Sequence, residues 1–354
     1  MPPSPDNVPA GNRRGILLSL LLVAFLGMVA AVLWADRDEF TDIIKQVEPS
    51  RLLIPLFLGL LSYGAMARSY QGIAHAAGAD LPFFAWLRIT FVSNTINYIV
   101  TSGGLSGLAV RMLLLSKHGV ASGRAVVISF VQTFLTNFTL LLFIVAGLGS
   151  LVVREHVPRV EVFVGIVAVV VFSVVLGYAS VLVVNRRVRR LTLFFLPHRA
   201  HQVMHRFLPR WTPSRQRLLR LRRNMNEGFD FLTERRDKMI WPVIWILLDW
   251  VLTLAILWYA FQSLNNPVPV TVVLIGFGVA VLCSLISLVP GGLGIMEGSM
   301  TAVFVSLGVP KSVALLASLI FRLSYHVTPL LVSAFLFRGL FRQAIHGLDT
   351  PPDV

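Results

Sequence analysis

The sequence predicts an all-α polytopic membrane protein, with about eight full transmembrane helices plus two short Gly/Pro-broken membrane segments in an inverted repeat. Three observations lead there. The composition is 56% hydrophobic and 14% charged, with a mean hydropathy of +0.76, and a water-soluble domain cannot hide so much apolar surface. Apolar stretches recur at 16–35, 52–74, 83–100, 125–152, 162–184, 240–262, 269–289 and 312–337, each near the ~20 residues a helix needs to cross a bilayer. Two further apolar segments, 101–118 and 290–308, are interrupted by glycine and match each other.

Taken in order, residues 1–14 form a polar, Pro-rich tail expected to be disordered. The run 16–35 follows Arg13 and Arg14 and lacks a convincing cleavage signal, so it is expected to stay as the first helix. Residues 36–48 carry Asp36, Asp38, Glu39, Asp42 and Glu48, which suits an outer loop. The loop 186–238 is the opposite, with fifteen Arg and Lys against Glu227, Asp230, Glu234 and Asp237, and the positive-inside rule places it in the cytoplasm. With the N-terminus also inside, an even number of crossings lies between them. Five apolar stretches precede the loop, so segment 101–118 must supply the sixth crossing. The same count puts the C-terminus inside if 290–308 crosses, with Arg338 and Arg342 following the last span. The expectation is one domain over 15–340, a C-terminal tail over 341–354, and residence in the cell's inner membrane.

Charge and cysteine usage exclude other classes. A net charge of +14 suggests nucleic acid in a soluble protein, but most of this excess sits in one loop, where orientation accounts for it and no nucleic-acid partner is expected. The loop has a second use open to it, the gathering of anionic lipid at the inner leaflet. Its stretch RQRLLRLRR, from Arg215 to Arg223, interleaves leucine with arginine as an interfacial helix does. The single Cys283 rules out an internal disulfide and a cysteine-built metal site.

The repeat sets TSGGLSGLAVRMLLLSKHGVASGRAVVISF, from Thr101, beside VPGGLGIMEGSMTAVFVSLGVPKSVALLASL, from Val289. Gly103-Gly104-Leu105 matches Gly291-Gly292-Leu293, and Gly119-Val120 matches Gly308-Val309 after one inserted residue. A basic residue follows each, Arg124 and Lys311, and then an apolar helix. The repeat motifs extend over 83–152 and 269–337. Helix 83–100 should run outward and helix 269–289 inward, so the copies are inverted, a transporter design with its substrate site near the midplane. The plainer reading makes both segments turns, with glycines serving close packing.

Candidate substrate-binding residues follow from cost. Glu297 lies just past the break Pro290-Gly291-Gly292-Leu293-Gly294, and an ionisable group at membrane depth costs roughly 2.5–3.5 kcal/mol on insertion scales. A shallow segment would instead leave it among headgroups. Arg111 occupies the corresponding region of the first copy and either binds a phosphate bidentately or snorkels to the interface. Arg322 lies ten residues into the last helix with His326 one turn on; it is the first partner for Glu297, with Arg111 second, or else meets an anionic headgroup. Asp249, inside WPVIWILLDWVLTLAILW, belongs to the pathway or is tied to a neighbouring helix. Asn94 and Asn97 precede the first break and would cap the freed backbone or line a cavity. There is no P-loop, HExxH or GxSxG motif, so no enzyme, catalytic residue, cofactor or metal is expected.

The stretches TSGGLSGLAVRMLLLSKHGVASGRA and PGGLGIMEGSMTAVFVSLGVPKSVA, with FRLSYH after the second, resemble the two motif regions of the lysylphosphatidylglycerol synthase transmembrane-region family, also called flippase-like or UPF0104. The first copy departs in Ser102, where proline is common. Gly103, Gly104, Arg111, Pro290, Gly291, Gly292, Gly294, Glu297 and Arg322 fall on the motif positions. Multi-domain members add a soluble synthase domain that attaches an amino acid to phosphatidylglycerol; the resemblance here implies the membrane flippase half without it. The expected function is movement of a phospholipid or lipid-linked polar headgroup between leaflets, with phospholipids of anionic headgroup as partners. Arg111 and Arg322 would meet the phosphate, and Glu297 would hold the arginines apart or accept a proton. The alternatives are a secondary transporter of a small anion, and a non-transporting membrane partner of a lipid-modifying enzyme.

Overall fold

Helix α1, Pro49–Ala76, runs the depth of the domain against α6, Ile240–Ser263, and their antiparallel contact is the most extensive in the molecule. The computed structural model describes residues 49–99, 105–152, 169–170, 173–182, 185–192, 215–286, 292–335 and 337–340. The tail 1–14, the first span 16–35, the acidic segment 36–48 and the tail 341–354 lie outside the described residues, as does most of 162–184 and of the basic loop's first half.

Between α1 and α6 come α2, Phe83–Ile99, α3, Leu105–Ser116, α4, Ser122–Val152, and α5, Arg215–Glu234. After α6 come α7, Val270–Ile286, α8, Ile295–Ser306, α9, Lys311–Arg322, a π-helical turn Leu323–Val327, and α10, Thr328–Phe335. A short apolar helix, Ser173–Leu182, precedes the basic loop. The described residues contain helix and no strand, as hydrocarbon requires of any open structure. Among them four stretches are long and apolar enough to cross a membrane: Ser50–Ala76, Ser122–Gly147, Asp237–Ser263 and Lys311–Phe335.

Within the stretches 83–100 and 269–289 the described helices α2 and α7 each pair with the short helix that follows. Both α2 and α7 have 17 residues, about 26 Å at 1.5 Å per residue. The 12-residue α3 and α8 fold back along them. Residues 97 and 107 meet near one tip, where the Gly107 N–H donates to Asn97 Oδ1 at 3.4 Å; lower down, Arg111 reaches Ser93 and Asn94. In the other hairpin Gly276 faces Phe304, and Gly292 faces Ser284.

The hairpins open toward opposite ends of α1. At one end the Arg124 guanidinium donates to Gly78 O at 2.8 Å, Lys238 Nζ lies 3.5 Å from His75 Nε2, and Phe337 lies edge-on to Phe84 at 6.4 Å. The turns bounding α2–α3 therefore share a face with the basic loop's end and with the last described residues. At the other end Arg51 donates to Asn265 Oδ1 at 3.0 Å, in the connection that leads into α7. The turns after α3 and α8 also match in detail. Gly119 and Gly308 have φ of +75° and +88°. Val120 N–H donates to Leu115 O at 3.1 Å, and Val309 N–H to Phe304 O at 3.0 Å. Both are left-handed helix stops of the kind glycine permits at no steric cost, so the Gly-Val pair found twice in the sequence makes one turn twice.

Each hairpin has its own core. Trp86, Val92, Val110, Leu114 and Ile128 pack round the first, and Phe261, Phe277, Met300, Phe304 and Phe321 round the second. Helix α5 lies on the first: Asn224 abuts Gly123, and Asp230 accepts from Arg189 Nη2 at 2.6 Å and lies 3.4 Å from Arg186 Nε.

Candidate functional site

Polar groups inside an apolar bundle must find partners or be used. In the first hairpin Arg111, on α3, is buried at 8% exposure. Its Nε donates to Ser93 Oγ at 3.0 Å, its Nη2 donates to Asn94 Oδ1 at 2.7 Å, and its guanidinium lies 4.6 Å over the Tyr70 ring. All three partners are neutral, and the ion pairs among the described residues do not include Arg111. Asn94 is fixed in turn by Met66 Sδ. Asn97 Oδ1 accepts from the Gly107 N–H and from Ser106 Oγ, each at 3.4 Å, and so caps the start of α3.

In the second hairpin Glu297 sits three residues into α8 and is 3% exposed. Its Oε2 accepts from the Gly294 N–H at 2.8 Å, and its Oε1 accepts from Arg322 Nε. Arg322, 4% exposed, also donates through Nη2 to Gly292 O at 3.3 Å. Gly292 and Gly294 carry φ of +62° and +79°. A Cβ at Gly292 would collide with Ser284 Oγ, so this position is closed to side chains on two counts. The first-choice partner for Glu297 is therefore the one the structure brings to it, while Arg111 stays apart. Gly103, Gly104, Pro290 and Gly291 lie outside the described residues.

Between the hairpins stands an aromatic cluster that the sequence did not single out. Tyr63 packs on Phe91 at 4.7 Å and on Tyr325 at 5.9 Å; Tyr98 packs on His326 at 4.5 Å and on Tyr325 at 6.5 Å. Tyr63 OH and His326 Nδ1 are buried and have no hydrogen-bond partner among the described residues. The π turn supplies Tyr325 and His326, and His326 packs edge-on against Tyr98. Asp249, 3% exposed, is tied to a neighbouring helix: Ser62 Oγ on α1 donates to its Oδ1 at 2.5 Å. No arginine, lysine or histidine among the described residues pairs with it. The signal for Ser62, Tyr63 and Tyr70 was present as polar residues on one helix face, with Tyr63 and Tyr70 spaced seven apart. No group of three or more possible metal ligands occurs among the described residues.

Comparison with known proteins finds similarity to membrane proteins. A family model described as the lysylphosphatidylglycerol synthase TM region matches residues 16–333. A UPF0104 membrane protein of Methanothermobacter thermautotrophicus is 22% identical over 86% of this chain and 89% of its own length. Another, of Pyrococcus horikoshii, is 20% identical over 90% of this chain and 95% of its own. The phosphatidylglycerol lysyltransferase of Bacillus subtilis is 21% identical over 95% of this chain, which spans 36% of that longer protein.

Proposed function

This chain belongs to the lysylphosphatidylglycerol synthase transmembrane-region family, and from that premise we propose that it moves a phospholipid, or a lipid-linked polar headgroup, between leaflets. The family is tied to phospholipid modification, and the chain is a membrane protein with transmembrane helices. The observation that carries the reading is Arg111, a buried cation whose partners among the described residues are all neutral. A guanidinium in hydrocarbon is expensive. Serine, asparagine and a tyrosine face hold its direction and leave its charge unspent, which suits an anion that comes and goes. A phosphate offers bidentate geometry to it.

The rest of the path follows. The α2–α3 and α7–α8 hairpins are the two halves of an inverted repeat that enters from opposite faces, with the binding zone between their tips. The headgroup slides past Arg111 and the tyrosines while acyl chains remain in lipid. Arg322 is engaged by Glu297 and Gly292, so its role shifts from direct phosphate contact to holding the break open. The basic loop and both termini face the cytoplasm of a cell bounded by this inner membrane, and the loop gathers anionic lipid there. The test is reconstitution in vesicles with fluorescent phosphatidylglycerol. Protein-bearing vesicles should expose inner-leaflet label to an external quencher faster than empty ones; equal rates refute transport.

A second reading is favoured by one finding, the similarity to a lysyltransferase of which this chain spans the smaller part. On it the chain serves a lipid-modifying enzyme as a membrane partner and moves nothing. Its mark would be that Arg111 can be replaced without loss.

A further inference from the structure

A concave groove of about 880 Å³ runs down the outer surface between α1, α2 and α10. Leu60, Leu61 and Gly64 form one wall, Phe84 and Phe91 the other, and Val332 closes the side. Apolar residues facing outward are ordinary in a bilayer. Three features set this place apart. It is concave and of the size of a ligand site. Arg88 lies at its shallow end, exposed, 4.3 Å over the Phe84 ring, with no carboxylate partner among the described residues. At its deep end Phe91 packs at 4.7 Å on Tyr63, whose buried hydroxyl has no partner among the described residues. The groove thus leads from an exposed cation on the face shared with the basic loop to the rim of the interior aromatic cluster.

We infer that this groove is the lateral entrance for an anionic glycerophospholipid: the phosphate is captured by Arg88, an acyl chain lies along Leu60, Leu61 and Val332, and Phe91 gates the way inward. An exposed guanidinium stacked on an aromatic ring at interface depth suits a phosphate, which it meets with two parallel N–H donors. Phe337, edge-on to both Phe84 at 6.4 Å and Phe91 at 5.8 Å, links capture site and gate. Displacing these rings would uncover Tyr63, on which Phe91 packs. The inference rests on the lipid-transport reading for its purpose, but the binding site stands or falls on its own.

The experiment uses the full chain in phosphatidylcholine nanodiscs with phosphatidylglycerol carrying a photoreactive acyl chain. Crosslinks should concentrate on Leu60–Gly64 and α2, and be competed by unlabelled phosphatidylglycerol but not by more phosphatidylcholine. Arg88→Gln should weaken that competition roughly tenfold, the loss of one charge-assisted contact, and Arg88→Lys should keep part of it. Gly64→Leu, at a position where a Cβ meets nothing within 4 Å, should block labelling by filling the groove, so the test survives if one variant misfolds. Labelling spread evenly over outward faces such as that of α6, equal competition by both lipids, or indifference to both variants would overturn the inference. Groove labelling in a protein that moves no lipid would keep this site and remove the transport reading; transport without groove labelling would do the reverse.

Discussion

Arg322 at the end of α9 binds both the Glu297 carboxylate and the Gly292 carbonyl, so one side chain holds the helix start and the strained loop before it. A charge pair this deeply buried is costly to halve. Removing one partner of a buried pair costs about 3–5 kcal/mol, whereas replacing both by neutral groups is often tolerated. Glu297→Gln and Arg322→Gln should each lower the thermal midpoint of the purified protein sharply, and Glu297→Gln with Arg322→Met should recover most of the loss. Additive losses in the double variant would mean that the two side chains act independently.

The loop itself is tested at Gly292. An L-residue with φ near +62° costs about 1–2 kcal/mol in backbone strain, and Ser284 Oγ crowds the new Cβ. Gly292→Ala should therefore destabilise by at least that amount in a denaturation series. Gly298→Ala, where a Cβ meets nothing within 4 Å on helix α8, should be neutral or stabilising. Equal behaviour of the two would refute the strain account.

Asp249 gives an opposite expectation. Its only side-chain donor among the described residues is Ser62 and it has no cation, so its charge is a burden to the fold. Asp249→Asn keeps an acceptor for Ser62 and should leave the melting temperature unchanged or raised. Ser62→Ala strands a buried acceptor and should cost about 1–3 kcal/mol. A large loss in Asp249→Asn would show that the carboxylate is charged and paired in the folded protein.

The opposed hairpins can be read by side-specific labelling. Lys117 and Ser306, exposed at the ends of α3 and α8, should sit on opposite membrane faces. In a Cys283→Ala background, Lys117→Cys and Ser306→Cys should react with an impermeant maleimide from opposite sides. Reaction of both from the same side would end the inverted arrangement.

Much of this was legible in the sequence because it is local. Glycine-rich breaks, the repeated Gly-Val turns and the cost of Glu297 inside an apolar run are properties of short stretches. What composition could not say was how 83–99 and 270–286 pair with the short helices that follow them. Apolar content does not choose a partner, and only the packing against α3 or α8 does. The Tyr63, Tyr98, Tyr325 and His326 cluster draws on α1, α2 and a π turn, and no spacing rule joins residues so far apart. Asp249 finding Ser62 is likewise a product of the α1–α6 contact.

The most direct measurement of the central claim is phosphatidylglycerol movement in vesicles bearing the Arg111→Gln protein. Glutamine keeps donors for Ser93 and Asn94 and removes a buried charge, so folding and insertion should persist, as elution volume and melting temperature will show. The account predicts movement at the rate of empty vesicles, with Arg111→Lys retaining a fraction through a point charge that lacks the bidentate fork. Wild-type rates in a folded Arg111→Gln protein would contradict it, and leave this arginine a structural residue of the α2–α3 hairpin.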